Sequence, residues 1–450
     1  MLIARSPSTE NQVTHAQPAW RFCQLLIALS ISQGALLLLL PILAWLGVKI
    51  GTIGQLRQFQ AAMGLLSIVL TGQLELLIPA AKTLKESHSL LASAKLSVCW
   101  LAGGLITLGL ATDINWFYLL LVIAASCEAW TRINKFSSAR HKNISSATTG
   151  RLTFGLTSLI IQPLAALAGG VSFVFISIDT LARVMSAAAS SLCLNADESL
   201  TMLLKDQYGF EKRRRSGLKS FLPHFPKFSH IRLSLPLTIG QSAALWCHML
   251  PAILLPELFG TESAGQWAIA YSIVMIPTLL IGQSVTHVLL GELNSPENGL
   301  PNSIYKTLRN AGILLAFAGC LLTCLLLLVF PVIIPAIFGN KIELVVNLIP
   351  IVCMTAIGTL LGNPLSHALL RLGNLKLKVR FHITMSIILS GIVLLGPLAD
   401  ISFEGTMLLY SCGILLSEIL IALLTLRIAY LDDLKNNALQ FSRYNTREAA

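Results

Sequence analysis

Apolar residues in this chain come in long runs. The clearest stretch extends from Leu233 to Leu293. It begins Leu-Ser-Leu-Pro-Leu, stays apolar to Leu255, turns through Pro256-Glu-Leu-Phe-Gly-Thr-Glu-Ser-Ala-Gly265, and is apolar again from Trp267 to Leu290. A helix rises about 1.5 Å per residue, so about 20 apolar residues cross a hydrocarbon core of about 30 Å. Each limb is long enough, and the pattern predicts a transmembrane helical hairpin.

The same pattern recurs along the chain. Further runs lie at about 22–48, 58–80, 91–112, 115–133, 151–170, 172–194, 310–334, 344–370, 380–398 and 405–428, with the hairpin limbs at about 233–256 and 264–290. Twelve spans are therefore predicted, in an all-α polytopic membrane protein. The first run, Phe22 to Val48, contains Gly34 and Pro41. It exceeds the about 7–15 apolar residues of a signal peptide and is closed by no small-residue cleavage site, so a retained helix is expected.

Composition strengthens this picture. The chain is 54% hydrophobic and only 12% charged, with mean hydropathy +0.73, where a soluble domain carries about 25% charged residues. Helices satisfy their own backbone polar groups in lipid. The net charge of +11 would suggest nucleic acid in a soluble chain, but here the placement of charge decides. With both termini in the cytoplasm, the inner tails and loops hold 28 of the 32 Lys and Arg residues (Lys95 counted at the edge), the outer loops hold Lys49, Arg57 and Lys341, and Arg183 is left within a span. The opposite orientation reverses this bias, so a multi-pass protein with cytoplasmic N- and C-termini is expected, and no nucleic-acid partner.

The longest loop, about 195–232, carries Glu211-Lys-Arg-Arg-Arg215. It serves as a topology anchor, and contact with anionic headgroups adds about 1 kcal/mol per basic residue. It also divides the chain into an N-terminal six-helix lobe, 1–228, including the basic loop 195–228, and a C-terminal lobe with its tail, 229–450. Gly54-Gln55 opens the second span and is followed by Gly72-Gln73; Gly265-Gln266 opens the eighth and is followed by Gly282-Gln283. A glycine-bearing turn precedes each, at Gly47 and Gly260. Six spans of the same sense in each half predict a parallel repeat, with two pseudo-symmetric bundles around a central cavity. Gly358-x3-Gly362 permits close helix contact, read as packing within the chain. The nine cysteines all lie in apolar runs. No disulfide framework is expected, and Cys320 and Cys324 read as small core residues.

Several residues carry a family resemblance. Leu258-Phe-Gly-Thr-Glu-Ser-Ala-Gly-Gln-Trp-Ala-Ile-Ala-Tyr271, Pro277 and Gly282-Gln283 resemble the seventh and eighth helices of bacterial polysaccharide flippases of the Wzx type. Ile334-Pro-Ala-Ile-Phe-Gly-Asn340 and Asn363-Pro-Leu-Ser-His-Ala-Leu-Leu-Arg-Leu-Gly373 resemble their ninth and tenth. These proteins belong to the MOP superfamily with the MATE drug exporters. The resemblance implies a MATE-like fold in the bacterial inner membrane. It also implies the task of moving an undecaprenyl-diphosphate-linked oligosaccharide to the outer leaflet, for O-antigen, exopolysaccharide or other surface polysaccharide. The bilayer and other polysaccharide-assembly membrane proteins are the expected partners. The alternatives are a MATE-type drug or cation exporter and a membrane polysaccharide polymerase or ligase.

Charge inside a span costs about 2.5–3.5 kcal/mol on insertion scales, so each case needs a reason. Arg183 follows Asp179 by one turn, which fits an intrahelical ion pair. It also fits a guanidinium in the lumen facing a diphosphate or acidic sugar. Glu75 has no cation one turn before it, and an unpaired carboxylate in low dielectric can bind and release protons; Glu75 and Asp179 are the ion-coupling candidates. Glu128 sits four residues before Arg132 and reads as its partner. Glu418 resembles Glu75 but lies closer to the cytoplasm. His248, His287 and His367 are either interhelical hydrogen-bonding groups or cavity cations. The substrate-contacting candidates are Arg183, His248, Gln33, Gln241 and Gln283, with polar glue between helices as the other reading of the glutamines. No phosphate loop G-x4-G-K-S/T, no H-E-x-x-H, no G-x-S-x-G and no metal-ligand cluster occurs. An enzyme, a cofactor and a bound metal are not expected.

Overall fold

In the computed structural model, residues 39–78, 84–112, 115–140, 145–206, 228–294, 303–338 and 343–448 are described. They form a helical segment at 39–45 and twelve further α-helices, with no strand among them: α1 Ile50–Thr71, α2 Leu84–Ala111, α3 Trp116–Arg140, α4 Ser145–Leu167, α5 Ser172–Asp206, α6 Phe228–Leu258, α7 Thr261–Asn294, α8 Ile304–Phe338, α9 Glu343–Ser366, the single turn α10 Ala368–Arg371, α11 Leu375–Leu398 and α12 Phe403–Glu448. A 3-10 turn, Leu74–Leu77, follows α1.

Ten of these helices are long and apolar enough to cross a membrane, and each answers to one predicted run. The predicted first run lies mostly outside the described residues. The predicted second run, 58–80, is displaced: α1 starts at Ile50 and ends at Thr71. Arg57, expected in an outer loop, is therefore part of a helix. The basic sequence Glu211–Arg215 lies outside the described residues.

Lipid as solvent explains the surface. On α8, Ile313, Leu314, Phe317, Leu321, Leu325, Leu328 and Val332 are all exposed. Such a stripe would be an aggregation liability in water and is the expected outer face of a membrane helix. Cys320 and Cys324 stand on the same helix, also exposed, and the eight described cysteines are all free.

The chain folds as two compact units. One comprises Met1–Leu39, Leu66–Ala165 and Phe173–Leu235; the other comprises Leu40–Leu65, Ala166–Ser172 and Pro236–Ala450. In the first, the 3-10 turn packs on α2 and α3, and Ser97 Oγ donates to the Leu70 carbonyl at 2.9 Å. In the second, α9 is central and packs on α7, α8 and α12.

Close approach in the second unit is made by glycines. A Cβ on Gly358 would lie 2.9 Å from Leu415 Cα, and one on Gly362 would collide with Glu418. The Gly358-x3-Gly362 pair thus seats α9 on α12, the intramolecular packing expected of it. Gly54 and Gly265, noted as matching positions of a repeat, meet each other: a Cβ on Gly54 would come 2.9 Å from Gly265 N. The turns before them also match, with φ of 85° at Gly47 and 86° at Gly260, a left-handed conformation that glycine adopts without a Cβ clash.

Candidate functional site

The first unit holds a buried ionic network built from the 3-10 turn, α3 and α5. Arg183 is its centre. Its Nε donates to Asp179 Oδ2 at 2.8 Å and its Nη1 to Glu128 Oε2 at 2.6 Å. Its guanidinium also lies 4.4 Å from the centre of the Phe154 ring on α4. The one-turn spacing puts Asp179 and Arg183 on one face of α5, as expected. Glu128 and Arg132, expected to pair with each other, take other partners. Arg132 Nη2 reaches Glu75 Oε1 at 3.2 Å. The expectation that Glu75 lacks a nearby cation is thereby corrected. The sequence search covered only its own helix, and the cation comes from α3.

Glu75 and Asp179 are fully buried, and the Arg183 side chain is 9% exposed. Charges so placed are tolerable only as pairs. Around them, Asn134 Nδ2 donates to Ser190 and Ser191 Oγ, each at 3.0 Å, and Trp130 Nε1 donates to Ser191 Oγ at 3.0 Å. Gly150 admits this packing, since a Cβ there would lie 3.0 Å from Ser190 Cβ, and Ser186 Oγ donates to the Gly150 carbonyl at 2.7 Å.

Two further cations belong to the cluster. Lys135 and Arg151 are half-buried and interact electrostatically with each other and with Glu128. Arg132, Lys135, Arg151 and Arg183 thus stand among Glu75, Glu128 and Asp179. Lys95 Nζ lies 5.2 Å over the Trp130 ring at its margin. Three arginines and Lys135 thus gather around three carboxylates. Lys135 and Arg151 were not singled out in the sequence, because they sit at predicted span ends where basic residues serve topology.

The second unit holds a smaller polar cluster. His248 Nε2 on α6 lies 3.6 Å from Glu418 Oε1 on α12. Lys378 and His382 come from α11. Lys378 interacts electrostatically with Glu418, and His382 with Lys378 and His248. Lys378 is buried although its position before the predicted span at 380 reads as a loop. Helix α11 begins at Leu375 and turns Lys378 inward, while Lys376 and Arg380 are exposed. His382 had no signal that set it apart from other span residues.

The remaining candidates divide. Gln241 is half-buried on α6, two turns before His248. Gln283 lies on α7, and its side chain is outside the described part, as is that of His287. Gln33 lies outside the described residues altogether. His367 is half-buried between α9 and α10. Among the described residues there is no group of three metal-ligating side chains.

No family model matches this chain, and no curated protein does. Solved structures do. An inward-facing multidrug resistance MATE family transporter of the MOP superfamily matches with TM-score 0.61 at 14% identity, covering 91% of this chain and 99% of that one. A MOP superfamily transporter from Pyrococcus furiosus matches with TM-score 0.60 at 13% identity, covering 92% and 96%; its binding pocket is described as having reverse polarity, suggesting a different function. A mutant of the Vibrio cholerae MATE transporter VcmN matches with TM-score 0.56 at 15% identity, covering 94% and 99%. At such identities the likeness carries the fold. The chain is a multi-pass membrane protein with the fold of MATE and other MOP superfamily transporters.

Proposed function

We propose that this transporter moves an undecaprenyl-diphosphate-linked oligosaccharide from the inner to the outer leaflet of a bacterial inner membrane, as a step in surface polysaccharide assembly. The observation that carries the reading is the gathering of Arg132, Lys135, Arg151 and Arg183 in the first unit's cluster. Arg183 is saturated by Asp179 and Glu128, so it holds α3 to α5. Arg132, Lys135 and Arg151 are the cations left to meet a diphosphate, which guanidinium groups bind in a forked geometry. Glu75 stays paired with Arg132 until an anion competes for it. Alternating access between lobes 1–228 and 229–450, with both termini cytoplasmic, is part of the same proposal.

Export of drugs or cations is the second reading, favoured by the multidrug transporter among the structural neighbours. In the first unit's cluster a cation substrate would meet three carboxylates, each of which already has an arginine partner. The Pyrococcus furiosus neighbour shows that pocket polarity differs among proteins of this fold.

The test is direct. Proteoliposomes containing the full chain are loaded with a fluorescent polyprenyl-diphosphate-linked oligosaccharide, and its leaflet is read by membrane-impermeant quenching. Protein-dependent movement of the lipid supports the proposal. Efflux of a cationic dye with no lipid movement replaces it with the exporter reading.

A further inference from the structure

At one end of the second unit, α8 begins beside α12 and the two run antiparallel. Asp433 of α12 accepts from Ser303 Oγ and from the Ile304 and Tyr305 amides. The Tyr305 and Tyr430 rings meet edge to face, their centres 5.4 Å apart, and Leu308 and Ala429 share one buried apolar cluster. These contacts fix the register. Arg309 lies six residues past Ser303, and Arg427 lies six before Asp433. At about 1.5 Å per residue the two arginines stand at one level on adjoining helices.

Both arginines are exposed. Arg309 follows Tyr305 by one turn, and its guanidinium lies 5.9 Å from the centre of that ring, within cation–π reach. Arg427 precedes Tyr430 by three residues, a spacing that shares a helix face. The tyrosine pair is thus flanked by an arginine from each helix. Two positive groups so placed repel each other, and an anion between them removes the repulsion.

The adjoining surface is apolar. Arg309 heads the exposed stripe of Ile313, Phe317 and Leu321 on α8, and Arg427 ends that of Leu416, Leu420 and Leu423 on α12. Tyr430 is itself exposed. Tyrosines are enriched where hydrocarbon meets water, because the ring is apolar and the hydroxyl is not. Of the two carboxylates on this stretch of α12, Asp433 is committed to the start of α8 and Asp432 is half-buried. Lys306 and Lys435 are exposed at the same end.

We propose that Arg309 and Arg427, with the Tyr305–Tyr430 pair between them, bind the phosphate headgroup of an anionic glycerophospholipid of the surrounding bilayer. The phosphodiester lies between the two guanidinium groups, each of which offers it paired N–H donors. The acyl chains run along the apolar stripes of α8 and α12. A bilayer lipid meets both parts of this surface, the cations and the hydrocarbon, whereas a free phosphate meets only the first. The bound lipid ties α8 to α12, in addition to the Asp433 contacts. The site belongs to the second unit alone and does not depend on which substrate the protein carries.

The full chain, purified in detergent, is mixed with equimolar phosphatidylglycerol and phosphatidylcholine of the same acyl chains, and the lipids it retains are counted by native mass spectrometry. Wild type should favour phosphatidylglycerol. R309Q and R427Q should each lower that preference about fivefold, the effect of one basic residue near an anionic lipid, and the double variant should lose nearly all of it. K376Q, which removes an exposed cation on α11, should keep the wild-type preference. Comparing two lipids within each variant cancels any difference in stability. A wild type without preference, or a preference that survives the double variant, overturns the proposal. An equal loss in K376Q does so too, since it would make the effect one of general charge. So does displacement of the lipid by equimolar pyrophosphate, which would make this a site for free anions.

Discussion

Arg183 and Glu128 are 55 positions apart in the chain, yet Arg183 Nη1 donates to Glu128 Oε2 at 2.6 Å. This bond joins α5 to α3, and with Asp179 it leaves the guanidinium between two carboxylates. Removing the arginine strands both. Arg183→Leu should destabilise the protein by about 3–5 kcal/mol, the usual cost of breaking a buried pair from one side. Thermal unfolding in detergent measures it. Removing the fully buried partner as well, in Asp179→Leu/Arg183→Leu, should recover part of the loss.

The contact of Gly54 with Gly265 leaves no space for a side chain. A Cβ at Gly265 would strike the Ile50 carbonyl, which is backbone and cannot swing aside. Gly265→Val should cost about 1–3 kcal/mol from overpacking. Gly391, where a Cβ meets nothing within 4 Å, gives the control: Gly391→Ala should be neutral or mildly stabilising. Unfolding midpoints of the two variants distinguish these outcomes.

Asp433 on α12 caps α8. Its carboxylate accepts from Ser303 Oγ, from Ile304 N at 3.2 Å and from Tyr305 N at 3.0 Å. These amides have no partner within the helix at its first turn. Asp433→Ala should lower stability by about 0.5–2 kcal/mol. Exchange of the Ile304 and Tyr305 amides should rise with it, a local readout that general destabilisation would spread over the whole helix.

The role proposed for Arg132, Lys135 and Arg151 makes a prediction about salt. Arg151→Gln and Lys135→Gln should each slow lipid movement in the proteoliposome assay and weaken its dependence on ionic strength, because fewer charges are left to be screened. Arg132→Gln should do the same and also destabilise, since it leaves Glu75 buried without its partner. Unchanged transport in all three variants would remove the anionic headgroup from this cluster.

How much of this was legible beforehand differs by residue. The Asp179–Arg183 pair was, because i and i+4 share a helix face whatever the fold. The Gly358–Gly362 seat was, because two missing side chains on one face invite a neighbour. Glu75 was read as lacking a cation and Glu128 as bonded to Arg132, and both readings failed for one reason. An ion pair between helices depends on which faces meet, and spacing along one helix does not contain that. Lys378 and Arg57 were taken for loop residues because a hydropathy window closes where charge appears, although α11 and α1 continue through them.

The amino-acid sequence by itself determined that this chain is a bundle of membrane helices. The length of an apolar run is enough to define a span when the solvent is hydrocarbon, and ten of the predicted runs are helices of that kind. Tertiary structure alone decided which polar groups are neighbours. The buried cluster of Arg132, Lys135, Arg151 and Arg183, and the approach of His248 to Glu418, arise from the rotation and contact of separate helices. The energy of a buried charge is set by the groups within a few ångströms of it in space.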